Sequence, residues 1–199
     1  MVVHSKNTEK IVSAAMCLFR SQGYGSVMVK DICAEAGVSH SSFYSIFTGK
    51  DDVLLYVLRG YPDSAEDTMR RLLLAESDLE KLWSLVAKYL AVAEDFGPEL
   101  TGAMFSLELA GKFSLTGALN EYMDRYREWF LRYVKSCQAA GVLRNQGDPR
   151  ELVLLGAELA FFIVYEWCTS RGAFPLRERV FAAMENLYDV VPSCRGLRP

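Results

Sequence analysis

Residues 27–50, VMVKDICAEAGVSHSSFYSIFTGK, decide the fold. Ile32, Cys33 and Ala36 follow Val29 at three, four and seven residues, the spacing of one buried helix face. Gly37 comes next, where a helix end takes a left-handed residue. Ser39 can accept a hydrogen bond from a free N–H of a new first turn. Val38 before that cap and Phe43 after it form a hydrophobic staple, which fixes the angle at which the second helix starts. Phe43, Ile46 and Phe47 give this helix an apolar face, and His40, Ser41, Ser42, Tyr44 and Ser45 lie opposite. Helix, glycine turn, helix is the helix-turn-helix arrangement, whose second helix lies in the major groove of DNA. The reading places His40, Ser41, Ser42 and Ser45 at base edges and Tyr44 on phosphate.

Working outward, Ile11, Ala14, Ala15, Leu18 and Phe19 make an amphipathic stripe on a helix expected from Asn7 to Gln22, ended by Gly23. On the other side, Thr48 is the expected cap of a fourth helix, with Asp51 reaching back to it. Asp51 and Asp52 suit the positive end of a helix dipole and Lys50 does not, which points to an anion at this turn.

AEAGVS at 34–39, followed by Phe43-Tyr44, Phe47, Lys50 and Val53-Leu54, resembles the DNA-binding region of the TetR family of bacterial transcriptional regulators. Gly23-Tyr24 and Asp31-Ile32 fit the same pattern, which covers about the first quarter of the chain. Val27 and Met28 stand where the family usually has Thr or Ser, with Ser26 as a substitute, and His40-Ser41-Ser42 replaces the more usual Lys-Gly-Thr or Arg-Gly-Thr. The resemblance implies that Lys50 holds a DNA phosphate and that the protein is a homodimeric regulator, a repressor, on a two-fold symmetric operator.

Charge agrees in distribution rather than in sum. The net charge is −3, yet residues 1–50 hold five Lys/Arg against three Asp/Glu, leaving an acidic remainder. Five scattered cysteines with no CxxC pair suit a reducing cytoplasm. Two histidines make no metal cluster, and no cofactor is expected. The first ten residues lack a signal-peptide core. The apolar run from Leu152 to Cys168, interrupted by Glu158 and Glu166, reads as too short and too charged to span a membrane.

The expected fold is all-α with about nine helices: a three-helix head at 1–48 and a ligand-binding and dimerisation body at 49–199. Helix four should run to about Ala75, bent near Gly60-Tyr61-Pro62. Further helices are expected at 78–95, 98–112 and 116–140, then from Asp148-Pro149 to Ser170 and from Leu176 to Val190. Tyr89, Phe96, Met104, Glu108, Tyr122, Tyr126 and Trp129 are the candidates for a small-molecule pocket of aromatics, a flexible Met and one carboxylate. Gly156, Ala160, Ile163, Val180, Met184 and Leu187 are the candidates for a four-helix dimer interface, because both C-terminal helices carry surplus apolar surface. The expected effector is a small apolar or aromatic molecule. No nucleophile-base set or phosphate loop argues for catalysis. The alternatives are a DNA-binding protein without a small-molecule ligand, and a helical enzyme or carrier whose motif is coincidental.

Overall fold

The structure, a computed structural model, describes residues 6–60, 65–112 and 114–197; the side chains of 65–67, 115, 116, 118–120 and 122 lie outside the description. Among the described residues the regular elements are nine α-helices and one short 3-10 turn, with a lone antiparallel bridge between Leu143 and Val190. The fold is all-α. The helices are α1 (Lys6–Gln22), α2 (Val29–Ala36), α3 (His40–Tyr44), α4 (Lys50–Arg59), α5 (Ala65–Leu74), α6 (Asp78–Leu109), α7 (Leu115–Ala139), α8 (Pro149–Thr169) and α9 (Leu176–Leu187).

Two boundaries differ from the sequence reading. Helix four ends at Gly60 and Ala65 begins a separate helix, where one bent helix to about Ala75 was expected. Tyr61 and Pro62 of that expected bend lie outside the described residues. The helices expected at 78–95 and 98–112 are the two arms of α6, joined at Gly97. Gly97 takes φ 76°, which glycine adopts without a Cβ clash, and Pro98 behind it has no N–H to continue the ladder.

The chain forms two compact units. The first comprises residues 1–62 and 103–113, so the boundary expected at 48/49 falls inside it. Helix α1 packs against α2 and α4, and its stripe is buried, as are Ile32, Cys33, Phe43, Phe47 and Val53–Leu55. Gly37 is left-handed at φ 63°, and the N–H of Val38 bonds back to the Cys33 carbonyl at 3.0 Å, so the turn sits where the glycine required it. Asp31 replaces the Thr or Ser cap that the sequence lacks: its carboxylate accepts from the Met28 N–H at 2.9 Å.

The second unit comprises residues 63–102 and 114–199. Trp83 is fully buried and meets Phe181 edge-to-face and Tyr188 at a tilt, with ring centroids 5.4 and 6.1 Å away. Arg177 of α9 grips Glu94 of α6 through two bonds of 3.0 and 2.5 Å, the fork geometry that only arginine offers.

Helix α8 corrects two expectations. At 21 residues it is long and apolar enough to cross a membrane by length and composition, contrary to the reading from residues 152–168. In the fold, however, it packs against α7 and α9. The residues expected between subunits are mostly used inside one chain. Gly156, Ala160, Ile163, Val180 and Met184 are buried and Leu187 is half-buried, because α8 and α9 close on each other through these faces. The surplus apolar surface lies on the opposite side of α8, where Leu154, Leu155, Phe162 and Tyr165 are 59%, 48%, 61% and 44% exposed.

Candidate nucleic-acid interface

Helix α3 is about a turn and a half long and is backed by buried aromatic side chains. Phe43 is fully buried, with Phe47 at 6.0 Å and Tyr44 at 5.4 Å between ring centroids. Ser39 caps the helix by accepting from the Ser42 N–H at 3.1 Å. His40, Ser41, Tyr44 and Ser45 are exposed and Ser42 is half-buried, so the polar face expected from the spacing is presented as one surface. The hydroxyls are partly used at home. Those of Ser41 and Ser42 each lie 2.9 Å from the Ser39 hydroxyl, and Ser45 donates to the Ser42 carbonyl at 2.8 Å. His40 leans on Tyr44 edge-to-face, 6.5 Å between centroids. This face holds a ring nitrogen pair, hydroxyls and a phenol, the donors and acceptors that base edges and phosphates require.

Lys50 is placed differently from the sequence reading. Its Nζ donates to the Tyr24 carbonyl at 2.6 Å and to the Val27 carbonyl at 2.9 Å, with Gly25 at 3.4 Å, and it lies 4.6 Å from the Tyr24 ring centroid. An ammonium has three donors, and all three point at the turn between α1 and α2. At this helix start the ammonium is held by neutral carbonyl oxygens of the chain itself. The expected cap also shifts by one residue: Asp52, not Asp51, reaches back, accepting from the Thr48 N–H at 3.0 Å.

Asp51 joins a second cluster. It accepts from the Tyr24 hydroxyl at 2.5 Å and from Lys112 at 2.7 Å. Burial pushes the Tyr24 phenol well above its ordinary value, and the bond to Asp51 and the charge on Asp51 add to that. Burial also pushes Asp51 upward, but hydrogen bonds from Lys112 and Tyr24, with the charges of Lys112 and Lys50, outweigh it and hold the carboxyl below its usual range. Sequence reading missed Lys112 and the role of Tyr24. Lys112 lies 61 residues from its partner, and no local pattern marks such a pair.

The pocket candidates are spread out. Met104 and Glu108 belong to the first unit; Tyr89, Phe96, Tyr126 and Trp129 belong to the second, and the Tyr122 side chain lies outside the description. Tyr126 is buried and accepts from Lys88 at 3.1 Å, while Lys88 also donates to the buried Thr68. Phe96 is buried at the end of the first arm of α6, and Trp129 is half-buried. Of the candidates whose side chains are described, only Tyr89 lines the cavity found within the second unit, beside Met123, Phe130, Ala157 and Tyr188. Tyr188 extends the α9 stripe by four residues beyond Met184, a signal the sequence reading did not use.

Known proteins resemble this chain at both levels. A sequence profile described as "Bacterial regulatory proteins, tetR family" matches residues 11–57. The HTH-type transcriptional regulator HbdR of Aromatoleum sp. (strain CIB) is 26% identical over 166 residues, covering 83% of this chain and 70% of that one. A putative transcriptional regulator from Saccharomonospora viridis, solved in complex with choline, superposes with a TM-score of 0.64 at 22% identity, covering 89% of this chain and 95% of that one. The transcriptional regulator FadR from Bacillus subtilis, solved in complex with stearoyl-CoA, superposes with a TM-score of 0.61 at 19% identity, covering 92% and 98%. With its glycine turn and capped reading helix, the chain carries at residues 11–57 the DNA-binding region of the TetR family of bacterial regulatory proteins, and its all-helical body has the fold of such regulators.

Proposed function

We propose that the protein is a cytoplasmic repressor that binds a two-fold symmetric operator as a homodimer and is released by a small apolar or aromatic effector. The observation that carries this reading is the exposed polar face of α3, His40 to Ser45, mounted on the buried Phe43. Tyr44 is the phosphate contact and His40, Ser41, Ser42 and Ser45 are the base contacts. Lys50 acts from behind, by holding the 24–27 turn. A single α3 offers too few contacts for a specific site, so a second copy is required. The exposed apolar face of α8, Leu154, Leu155, Phe162 and Tyr165, supports that copy as the other half of the dimer. Structural relatives solved in complex with choline and with stearoyl-CoA support a small-molecule ligand for this chain without fixing its class.

Selection of bound fragments from a random DNA pool with the purified full-length protein tests the reading. An enriched inverted repeat, with half-sites spaced by about one helical turn, is the expected result. No enrichment at low salt, where phosphate contacts are strongest, contradicts it.

A further inference from the structure

Most of the hydroxyl protons on the reading face of α3 are committed inside the chain. Ser45 donates its proton to the Ser42 carbonyl at 2.8 Å. The hydroxyls of Ser41 and Ser42 each lie 2.9 Å from that of Ser39, and those two bonds take two of the three protons. What the serines keep free is chiefly acceptor capacity, since a hydroxyl oxygen has two lone pairs. Tyr44 is exposed too, but it is the last residue of the helix.

His40 differs on each count. It is the first residue of α3, at the end of a reading helix that reaches base edges in helix-turn-helix complexes. The side chain is exposed, and among the described residues neither ring nitrogen has a hydrogen-bond partner. Its ring meets that of Tyr44 edge-to-face, with centroids 6.5 Å apart, a contact that restricts the ring without hydrogen-bonding either nitrogen. An imidazole has at least one N–H donor, whether neutral or protonated. His40 therefore brings to the base-reading end of α3 a donor that the chain itself does not use.

The base edges of the major groove are unequal partners for such a donor. Guanine presents two adjacent acceptors, N7 and O6, and no donor. Adenine sets its N7 beside the N6 amino group, thymine sets O4 beside a methyl, and cytosine offers a donor only. A single N–H meets guanine over the widest range of approach, with no hydrogen or methyl in its way.

We infer that His40 is the residue that sets operator preference on α3, and that it reads guanine, donating to N7 of one G·C pair in each half-site with O6 beside it as a second acceptor. The inference rests on the reading of α3 as a DNA-reading helix and gives that reading a base and an atom. Positions met by Ser41, Ser42 and Ser45 discriminate less, because a hydroxyl oxygen accepts from adenine N6 and from cytosine N4 alike.

The probe is the duplex that the full-length protein selects from a random DNA pool. Replacing guanine by 7-deazaguanine removes the N7 acceptor and leaves base pairing intact. Each guanine of the selected motif is replaced in turn, in both half-sites together, and binding is followed by fluorescence anisotropy for the parent and for His40→Ala. At one symmetry-related pair the analogue is expected to weaken the parent roughly fivefold or more, the loss of one hydrogen bond in each half-site. His40→Ala is expected to bind the selected duplex more weakly and to be indifferent to the analogue at that pair. A half-site motif without guanine, a parent indifferent to 7-deazaguanine at every position, or a response that His40→Ala shares in full overturns the assignment. The parent's response decides the matter even if the variant folds poorly, and circular dichroism shows whether it does. Failure of the underlying reading is separately visible: a protein that selects no DNA at low salt loses the regulator and the assignment together. One that selects an inverted repeat but gives no analogue response loses the assignment alone.

Discussion

Lys50 turns its ammonium inward, and that orientation changes what its replacement does. A lysine on phosphate contributes about one unit to the salt slope of DNA binding. A lysine that satisfies three carbonyls contributes to the stability of the turn it closes, and hydrogen bonds to a charged group are worth about 1.5–3 kcal/mol each before solvent screening. Lys50→Met is therefore expected to lower the unfolding midpoint in urea by an amount corresponding to about 1–3 kcal/mol, with the salt slope of operator binding unchanged. Urea titration and binding at several salt concentrations check both halves. Asp51 gives a pH signature. Its folded pKa lies below the unfolded value of about 3.9, so its contribution is present above that value and is lost as pH falls through the folded one. The stability difference between the parent and Asp51→Asn should be constant near neutrality and shrink below about pH 4. Thermal unfolding from pH 7 to pH 3 measures it, and a difference that grows on acidification counts against the Tyr24–Asp51–Lys112 cluster. These partners were not legible in the sequence. The turn, the cap and the staple depend on residues a few positions apart, and spacing alone places them. Lys50 and Asp51 find their partners 23 to 61 residues away, and only the folded chain brings those together.

Helix α8 shows what periodicity leaves open at the scale of an element. Apolar residues surround it almost completely, so its pattern does not say which side faces the chain's own core. The structure turns Leu152, Val153, Gly156, Ala160, Ile163, Val164 and Trp167 inward. Glu151 and Glu158 mark the outer side, four and three residues from the exposed Leu155, and that weak polar signal was the available clue to the facing. The consequence for mutation is a reversal. A charge at Ala160, first expected to separate subunits, is expected to unfold the chain, since it buries an ion without a partner. A charge at Phe162 is expected to give monomers with the same helical content. Sedimentation and circular dichroism of Ala160→Glu and Phe162→Glu distinguish the two: an intact dimer in Phe162→Glu contradicts the proposed contact. Helix α6 adds a further point that sequence caught in part. Gly97-Pro98 announced the break, but not that residues 98–102 cluster with the second unit and 103–109 with the first. Lys112, just beyond the end of α6, is paired with Asp51 in the first turn of α4.

For the whole molecule, the fold was legible because the helix-turn-helix motif is a dense local code and the body is a set of amphipathic segments with clear stops. The pocket was legible only as a kind of surface. Aromatic candidates on α6 and α7 were visible, yet helix rotation decides which rings meet, and of the described candidates Tyr89 alone lines the cavity. The central claim is that α3 reads base edges in a two-fold site. Repeating the DNA selection with His40→Ala tests it most directly. The side chain is exposed at the start of α3 and supports no buried contact, so the variant should fold and bind. The expected operator motif relaxes at one pair of symmetry-related positions, worth about 1–3 kcal/mol of discrimination, and is unchanged elsewhere. A motif identical to the parent's at every position, or one relaxed on one side of the dyad only, would contradict it.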